Sequence, residues 1–354
     1  MIEHAEAAAA VRDAALPSKG ASTGKRRRIT LRTLGLVLVA YVLVVVGLGV
    51  YWSLQPAVFD VRANALEEVG GDEPRLVPGA VTVAAAIRVA ETLLDKPGGW
   101  TYNDFGMPGL YLDNMPSWED GALKELRDSV RSLRNDFSRS QTQSIESPEL
   151  KAADAHLNFD MRSWALPPAE IEYRTGVEEL RAYFKRLTSG TDPTARFHTR
   201  ADNLAAYLAV VEKRLGSLAQ RLSASVGDDE LTAALVHDSQ GGKPSSDGSQ
   251  IRGKTSWLEV DNIFHEARGY TWALLHMTSA LSVDFKDVLR DKNAEVSMQQ
   301  VIRDLRGATG SMWSPMVLNG TGFGLLANHS LVMASYISRA NAAVLDLRVL
   351  LQQG

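Results

Sequence analysis

ADNLAAYLAVVEKRLGSLAQRL, residues 201–222, places apolar side chains at Ala201, Leu204, Leu208, Val211, Leu215, Leu218 and Leu222. Steps of three and four residues put all of these on one side of an α-helix, because the helix turns once every ~3.6 residues. The same stepping recurs on both sides. Leu123, Leu126, Val130, Leu133 and Phe137 follow it, as do Val177, Leu180, Phe184 and Leu187. Val260, Phe264, Ala267, Thr271, Leu274, Thr278, Leu281, Phe285 and Val288 extend it through a longer segment. Leu326, Met333, Ile337, Ala340, Val344, Leu347 and Leu351 repeat it near the C-terminus. No run alternates with period two, so about seven helices and no sheet are expected. Stripes of this kind bury best against one another, which predicts an all-α helical bundle. Breakers interrupt the heptads after about three or four repeats, which favours packing within the chain over a coiled-coil dimer.

Boundary residues agree with this division. Leu94-Asp95-Lys96-Pro97-Gly98-Gly99 is a helix stop, and Ser117-Trp118-Glu119-Asp120 has the form of a helix start. Residues 227–254 are polar and rich in Gly and Ser, and read as a flexible linker between a first part, 60–226, and a second part, 255–354. Small residues such as Ala334, Ser335, Ser338, Ala340, Ala342 and Ala343 on the last helix suggest a central position in the bundle.

One segment is of another kind. Residues 34–52, LGLVLVAYVLVVVGLGVYW, contain no charge. At ~1.5 Å per residue they extend roughly 28 Å, the thickness of a bilayer's hydrocarbon core. Lys25, Arg26, Arg27, Arg28 and Arg32 precede them, and Tyr51 and Trp52 occupy the place of an interfacial aromatic anchor. The positive-inside rule then predicts a basic, disordered cytoplasmic tail at residues 1–33, a transmembrane helix at 34–52 and the bulk of the chain on the far side. A cleaved signal peptide is the rival reading; the apolar stretch is long for one, and no A-x-A-like site follows it. Residues 312–338 also lack Asp, Glu, Lys and Arg, but Asn319, Asn328 and His329 interrupt them, so a loop and a buried helix are expected there.

Composition sets further limits. Hydrophobic residues make up 45% of the 354, ample for a core. There is no cysteine, which excludes disulfides and thiolate zinc sites. The chain carries a net charge of −4, yet residues 1–59 sum to +4, which leaves −8 for the body. An acidic body is a poor ligand for nucleic acid, and a basic tail suits an anionic inner leaflet.

No motif specifies chemistry. His265-Glu266 and His276 are too far apart along a helix to share a metal, and HEARG is not H-E-x-x-H. Asn319-Gly-Thr-Gly-Phe-Gly324 lacks the strand context of a dinucleotide site and the Lys of a P-loop. Arg131, Arg134 and Arg139 alternate with Asp128 and Asp136, the pattern of a solvated, ion-paired face. No cofactor, metal or catalytic residue is assigned. The loop Lys96–Pro116 is long for a compact domain, and long ordered loops often carry function. It holds Trp100, Tyr102, Asp104, Phe105, Tyr111 and Asp113; Trp313, Asn319 and Phe323 occupy a second Gly-rich loop. The two are expected to lie at the same end of the bundle and to form a ligand or partner surface.

The strings LLDKPGG (93–99), LRNDFSRSQ (133–141), VEKRLGSLAQRLSASVG (211–227) and NHSLVMASYISRANAAVLDLR (328–348) resemble an uncharacterised family of Gram-negative bacterial proteins, a domain of unknown function. The resemblance covers nearly everything after the apolar segment. It implies a single-pass inner-membrane protein with a periplasmic domain and supplies no site residue. A membrane-anchored periplasmic scaffold or adaptor, with the lipid bilayer and another envelope protein as partners, is the preferred expectation. A module binding a small molecule or envelope polymer through the two aromatic loops comes second, and a cell-wall enzyme third.

Overall fold

The structure, a computed structural model, describes residues 20–139, 146–192, 194–224, 259–310, 317 and 329–353, with side chains from residue 31 onward. The described residues are all-α, without a strand. They divide into two compact units, Met1–Val50 and Tyr51–Gly354.

Helix α1, Gly20–Trp52, contains a stretch, Leu31–Trp52, that is long and apolar enough to cross a membrane. Its large apolar side chains are exposed. Ten helices follow among the described residues: α2 Val61–Glu68, α3 Ala80–Asp95, α4 Asn114–Ser132, α5 Pro148–Leu157, α6 Ala169–Ser189, α7 Ala201–Ala224, α8 Val260–Asp284, α9 Lys286–Asp291, α10 Glu295–Ala308 and α11 His329–Gln352. A π-helical turn, Leu133–Phe137, prolongs α4.

The stripes read from the sequence are the core. Leu204, Leu208, Val211, Leu215 and Leu222 of α7 are buried, as are Met333, Ile337, Val344 and Leu347 of α11, and these two helices pack together. Helix α4 packs on α8, α10 on α11, and α5 on α6. Helices on both sides of the 227–254 segment therefore contribute to one hydrophobic core. That segment lies almost entirely outside the described residues, as do residues 1–19 of the basic tail and most of 312–328.

The central helix is α8. From Ala267 to Thr278 every one of its residues is buried. Helix α11 instead leaves Ser335, Arg339, Ala342, Leu345 and Val349 at the surface, which corrects the central place that its small residues suggested. Polar side chains in α8 hide its centrality from a hydrophobicity reading. Thr271 and Thr278 return their hydroxyl hydrogens to the carbonyls of Ala267 and Leu274, one turn back, at 2.8 and 2.7 Å, so they enter the core already satisfied.

Helix α4 begins one turn before the Ser117 start that the sequence suggests. Pro116 lies within its first turn, where a missing N–H leaves no bond unmade, and the Ser117 hydroxyl donates to the Asp113 carbonyl at 2.8 Å. Helix α3 takes its cap from far along the chain. Its N-cap residue, Gly79, has no side chain and a φ of 90°. Asp284, at the end of α8, accepts the Thr82 N–H at 2.8 Å and the Thr82 hydroxyl at 2.6 Å instead. A carboxylate among free N–H groups at a helix start is favourable, which offsets part of the cost of burying it.

Candidate functional site

Two loops meet beside the end of α3. The first, after Lys96, runs to α4, and the second, residues 158–168, joins α5 to α6. Trp100 sews them together from below. Its ring is 3% exposed, its indole N–H donates to the Met161 carbonyl at 3.2 Å, and it stands edge-on to Tyr173 at 5.2 Å. Trp100 therefore belongs to the core, not to the surface it was expected to join. Tyr102 is half-buried beside it. Asn103 fastens the loops a second time, donating to the Ser163 carbonyl at 2.7 Å and to the Glu170 carboxylate at 3.0 Å.

Above this seam the side chains turn outward. Phe105 is 75% exposed, and its ring lies 5.3 Å from that of Trp164, which is 65% exposed. Met107, Leu110 and Tyr111 from the first loop and Leu166 from the second are exposed as well, Leu166 at 99%. Asp104 is partly covered, and burial together with Glu170 raises its pKa while Lys96 acts to lower it. Asp113 is exposed at the start of α4. Of the residues singled out from the sequence, Phe105 and Tyr111 stand on this two-loop surface; Trp313, Asn319 and Phe323 lie outside the described residues. Trp164 and Leu166 were missed. Their signal was available: large apolar residues in SWALPP, a segment whose prolines forbid a helix interior.

The residues that flank the second Gly-rich loop are held by α8. Ser117, at the start of α4, bonds Asn262 of α8 at 3.2 Å. His329, the first residue of α11, has its ring 6.4 Å from Phe264. Arg268 donates to the carbonyl of Gly310 at 3.0 Å and to Gln55 at 2.9 Å. Trp52 rests on the turn at Gly98, where a Cβ would come within 2.8 Å of its ring. Ser117, which follows the first loop, and Gly310 and His329, which flank the second, are thus tied to the first half of α8, while the second loop itself lies outside the described residues except for residue 317.

The titratable groups of the core serve the fold. His265 Nδ1 meets the Gln55 amide at 3.1 Å, and His276 accepts the Phe59 N–H on Nε2 at 3.1 Å while its Nδ1 faces the Trp272 carbonyl at 2.7 Å. Burial holds both imidazoles near a pKa of about 4, so both are neutral and bind residues 55–59 to α8. Glu266 is paired with Lys124 and Arg221, which ties α8 to α4 and α7. Arg134 pairs with Glu146 and Asp154, Arg139 with Glu146, and Asp128, which is buried where a solvated face was expected, with Arg214 and Arg131. No cluster of three or more His, Cys, Asp or Glu able to hold a metal occurs among the described residues. A half-open hollow of about 260 Å³ beside Lys286, Leu289, Glu295 and Met298 contains no aromatic side chain.

Glu125 is the exception in kind. It is fully buried in α4, accepting the Tyr207 hydroxyl at 2.5 Å and the Ser129 hydroxyl at 2.8 Å on one oxygen. Its other oxygen is buried near the Tyr270 hydroxyl, which helps to hold the charged form. Burial, assisted by Asp128 and opposed by Tyr207, raises its pKa to about 7. Below the ordinary carboxyl value of 4.5 the group is protonated whether the chain is folded or not. From there to about 7 the folded state alone holds the proton, so stability falls as pH rises across that window. At ~1.4 kcal/mol per unit, the loss is on the order of 3 kcal/mol. Glu125→Gln is expected to be more stable than the natural protein at pH 8 and equal to it near pH 4, read by thermal unfolding in detergent at each pH.

The fold and its exposed loops define an all-helical protein with one N-terminal helix able to cross a membrane and an apolar two-loop surface on its body. Residues 25–354 match the family described as "Uncharacterized protein conserved in bacteria (DUF2333)", and the chain belongs to that family. No curated protein and no solved structure matches it.

Proposed function

We propose that the protein is a membrane-anchored scaffold or adaptor of the bacterial envelope, with α1 in the inner membrane, its basic N-terminus in the cytoplasm and the helical body in the periplasm. One observation carries this reading. An apolar, exposed helix is joined to a body in which the buried Glu119, Asp128 and His276 and the partly buried His265, Glu266 and Asp284 are engaged in holding helices and loops to one another. Such a body is suited to presenting fixed surfaces to another protein. The basic cluster from Lys25 to Arg32 supports the orientation.

In-cell cross-linking through exposed lysines, followed by mass spectrometry, tests the proposal. It should return a defined envelope protein linked to surface lysines of the body, and the same links should be lost when α1 is removed. Links confined to the chain itself, with the purified protein degrading or modifying an envelope polymer, would replace the scaffold by an enzyme.

A further inference from the structure

We propose that the two-loop surface formed by Phe105, Met107, Leu110, Tyr111, Trp164 and Leu166 inserts into the interfacial layer of the membrane that α1 crosses, so that the body is seated on the bilayer and not merely tethered to it. The proposal rests on the membrane-anchored reading above and adds the occupant of the surface.

Three observations point to lipid. The first is residue type and placement. All six are large, apolar or aromatic, and exposed, and they come from the two loops, Leu110 and Tyr111 from a single 3-10 turn, Gly109–Tyr111, within the first. Trp, Tyr and Phe are the residues favoured at headgroup depth. The second is continuity with the membrane helix. Trp52 is the last residue of α1, and its ring is seated on Gly98 at the base of the first loop. Phe105 lies seven residues beyond Gly98, so it can be no more than about 25 Å away along a fully extended chain. The third is rigidity. Trp100 fastens the first loop to Met161, and Asn103 fastens it to Ser163 and Glu170. Loops held this way keep their apolar tips outward without the ordering cost that a mobile loop would meet on insertion.

Charge refines the ligand. Asp104 and Asp113 in the first loop and Asp160 in the second outnumber Arg162, the exposed cation near Trp164, and Glu170 follows at the start of α6. A surface flanked by carboxylates gains nothing from anionic headgroups, so insertion is expected to be apolar in origin and insensitive to the fraction of anionic lipid.

The absence of cysteine makes a direct test simple, because one introduced thiol is labelled uniquely. Gly106→Cys has open space around it, and Ala165→Cys lies between Trp164 and Leu166. Val296→Cys, exposed in the first turn of α10 and so at the opposite end of that helix from the Gly310 anchor, is the control. Each full-length variant is labelled with an environment-sensitive fluorophore and reconstituted into phosphatidylethanolamine–phosphatidylglycerol vesicles containing a nitroxide-labelled lipid. Quenching at residues 106 and 165 should exceed that at 296 several-fold, and it should persist when phosphatidylglycerol is reduced. Replacing Phe105, Leu110, Trp164 and Leu166 together by Ser should abolish the excess while leaving the chain resistant to alkaline extraction. Equal quenching at all three positions in a chain that still resists extraction would overturn the seating alone. Release by alkaline extraction would remove the membrane-anchored reading with it. Cross-linking of residue 106 or 165 to a protein in cells, without lipid quenching, would assign the surface to a protein partner instead.

Discussion

Gly121→Ala and Gly269→Ala are each expected to destabilise the body by about 3 kcal/mol, at the upper end of the cost of overpacking a core. The two glycines face each other's helices where α4 crosses α8. A Cβ on Gly121 would lie 1.9 Å from the Glu266 carbonyl oxygen, and one on Gly269 would lie 1.8 Å from that of Trp118. Both obstacles are backbone, so no side chain can rotate away and the helices must part. Parting them would disturb Lys124 and Arg221 on Glu266, and the contact of Trp118 with Trp272. Helix propensity alone argues the opposite, since Ala is better than Gly by about 1 kcal/mol. Gly216 provides the contrast. It lies inside α7 with only the Asn341 amide within reach of a Cβ, at 3.8 Å. Gly216→Ala should therefore stabilise by roughly 0.5–1 kcal/mol. Thermal unfolding of the three full-length variants in detergent decides the matter. A stable Gly121→Ala protein would mean that α4 and α8 do not cross as closely as described.

Lys96→Met should cost a similar amount, about 3–5 kcal/mol, by leaving a buried carboxylate without its cation. Lys96 and Glu119 are both buried and form an ion pair. Lys96 also donates to the Gly99 carbonyl, and Glu119 accepts the Thr101 N–H and hydroxyl at 2.8 and 3.0 Å. Together they fold the start of the 96–113 loop onto α4. Burial already raises the pKa of Glu119, and Lys96 is the largest influence lowering it. Without Lys96 the carboxyl keeps its proton to still higher pH, so the loss in Lys96→Met should deepen as pH rises. The double variant Lys96→Met, Glu119→Gln removes both charges and should recover to within about 1 kcal/mol of the natural protein, because neutral replacement of a buried pair is often tolerated. Full additivity of the two losses would show that the pair does not interact.

How much of this was legible in the sequence varies by residue. The apolar stripes of α4, α6, α7, α8 and α11 are legible because apolar residues recur at helical spacing, and most of those positions are buried. Ala201 and Val288 are only partly covered, Phe285 and Val288 lie past the end of α8, and Leu326 lies outside the described residues. Helices α2 and α5 are too short for such a pattern to stand out. The order of burial among the helices was not legible. Arg268 and His276 read as polar interruptions of α8, and Thr271 and Thr278, though on its apolar stripe, carry hydroxyls; bonds to carbonyls, Gln55 and Phe59 make all four core residues. The 96–116 loop was recognised by its length and aromatics, but nothing in its sequence separates Trp100, which points inward to Met161, from Phe105, which points outward to Trp164. That separation depends on the 158–168 loop, some sixty residues away. The Glu125 and Lys96–Glu119 sites were invisible for the same reason, since burial of a charge is a property of packing and not of spacing.

The proposed topology, in which α1 crosses the membrane once and the whole body lies on the far side, can be checked at the C-terminus. A reporter enzyme active only in the periplasm, fused after Gly354, tests it most directly. Activity is expected from the periplasmic reporter and none from a cytoplasmic reporter at the same position. Activity from the cytoplasmic reporter alone would contradict it, and would require either a second crossing within residues 312–338 or the opposite orientation of α1.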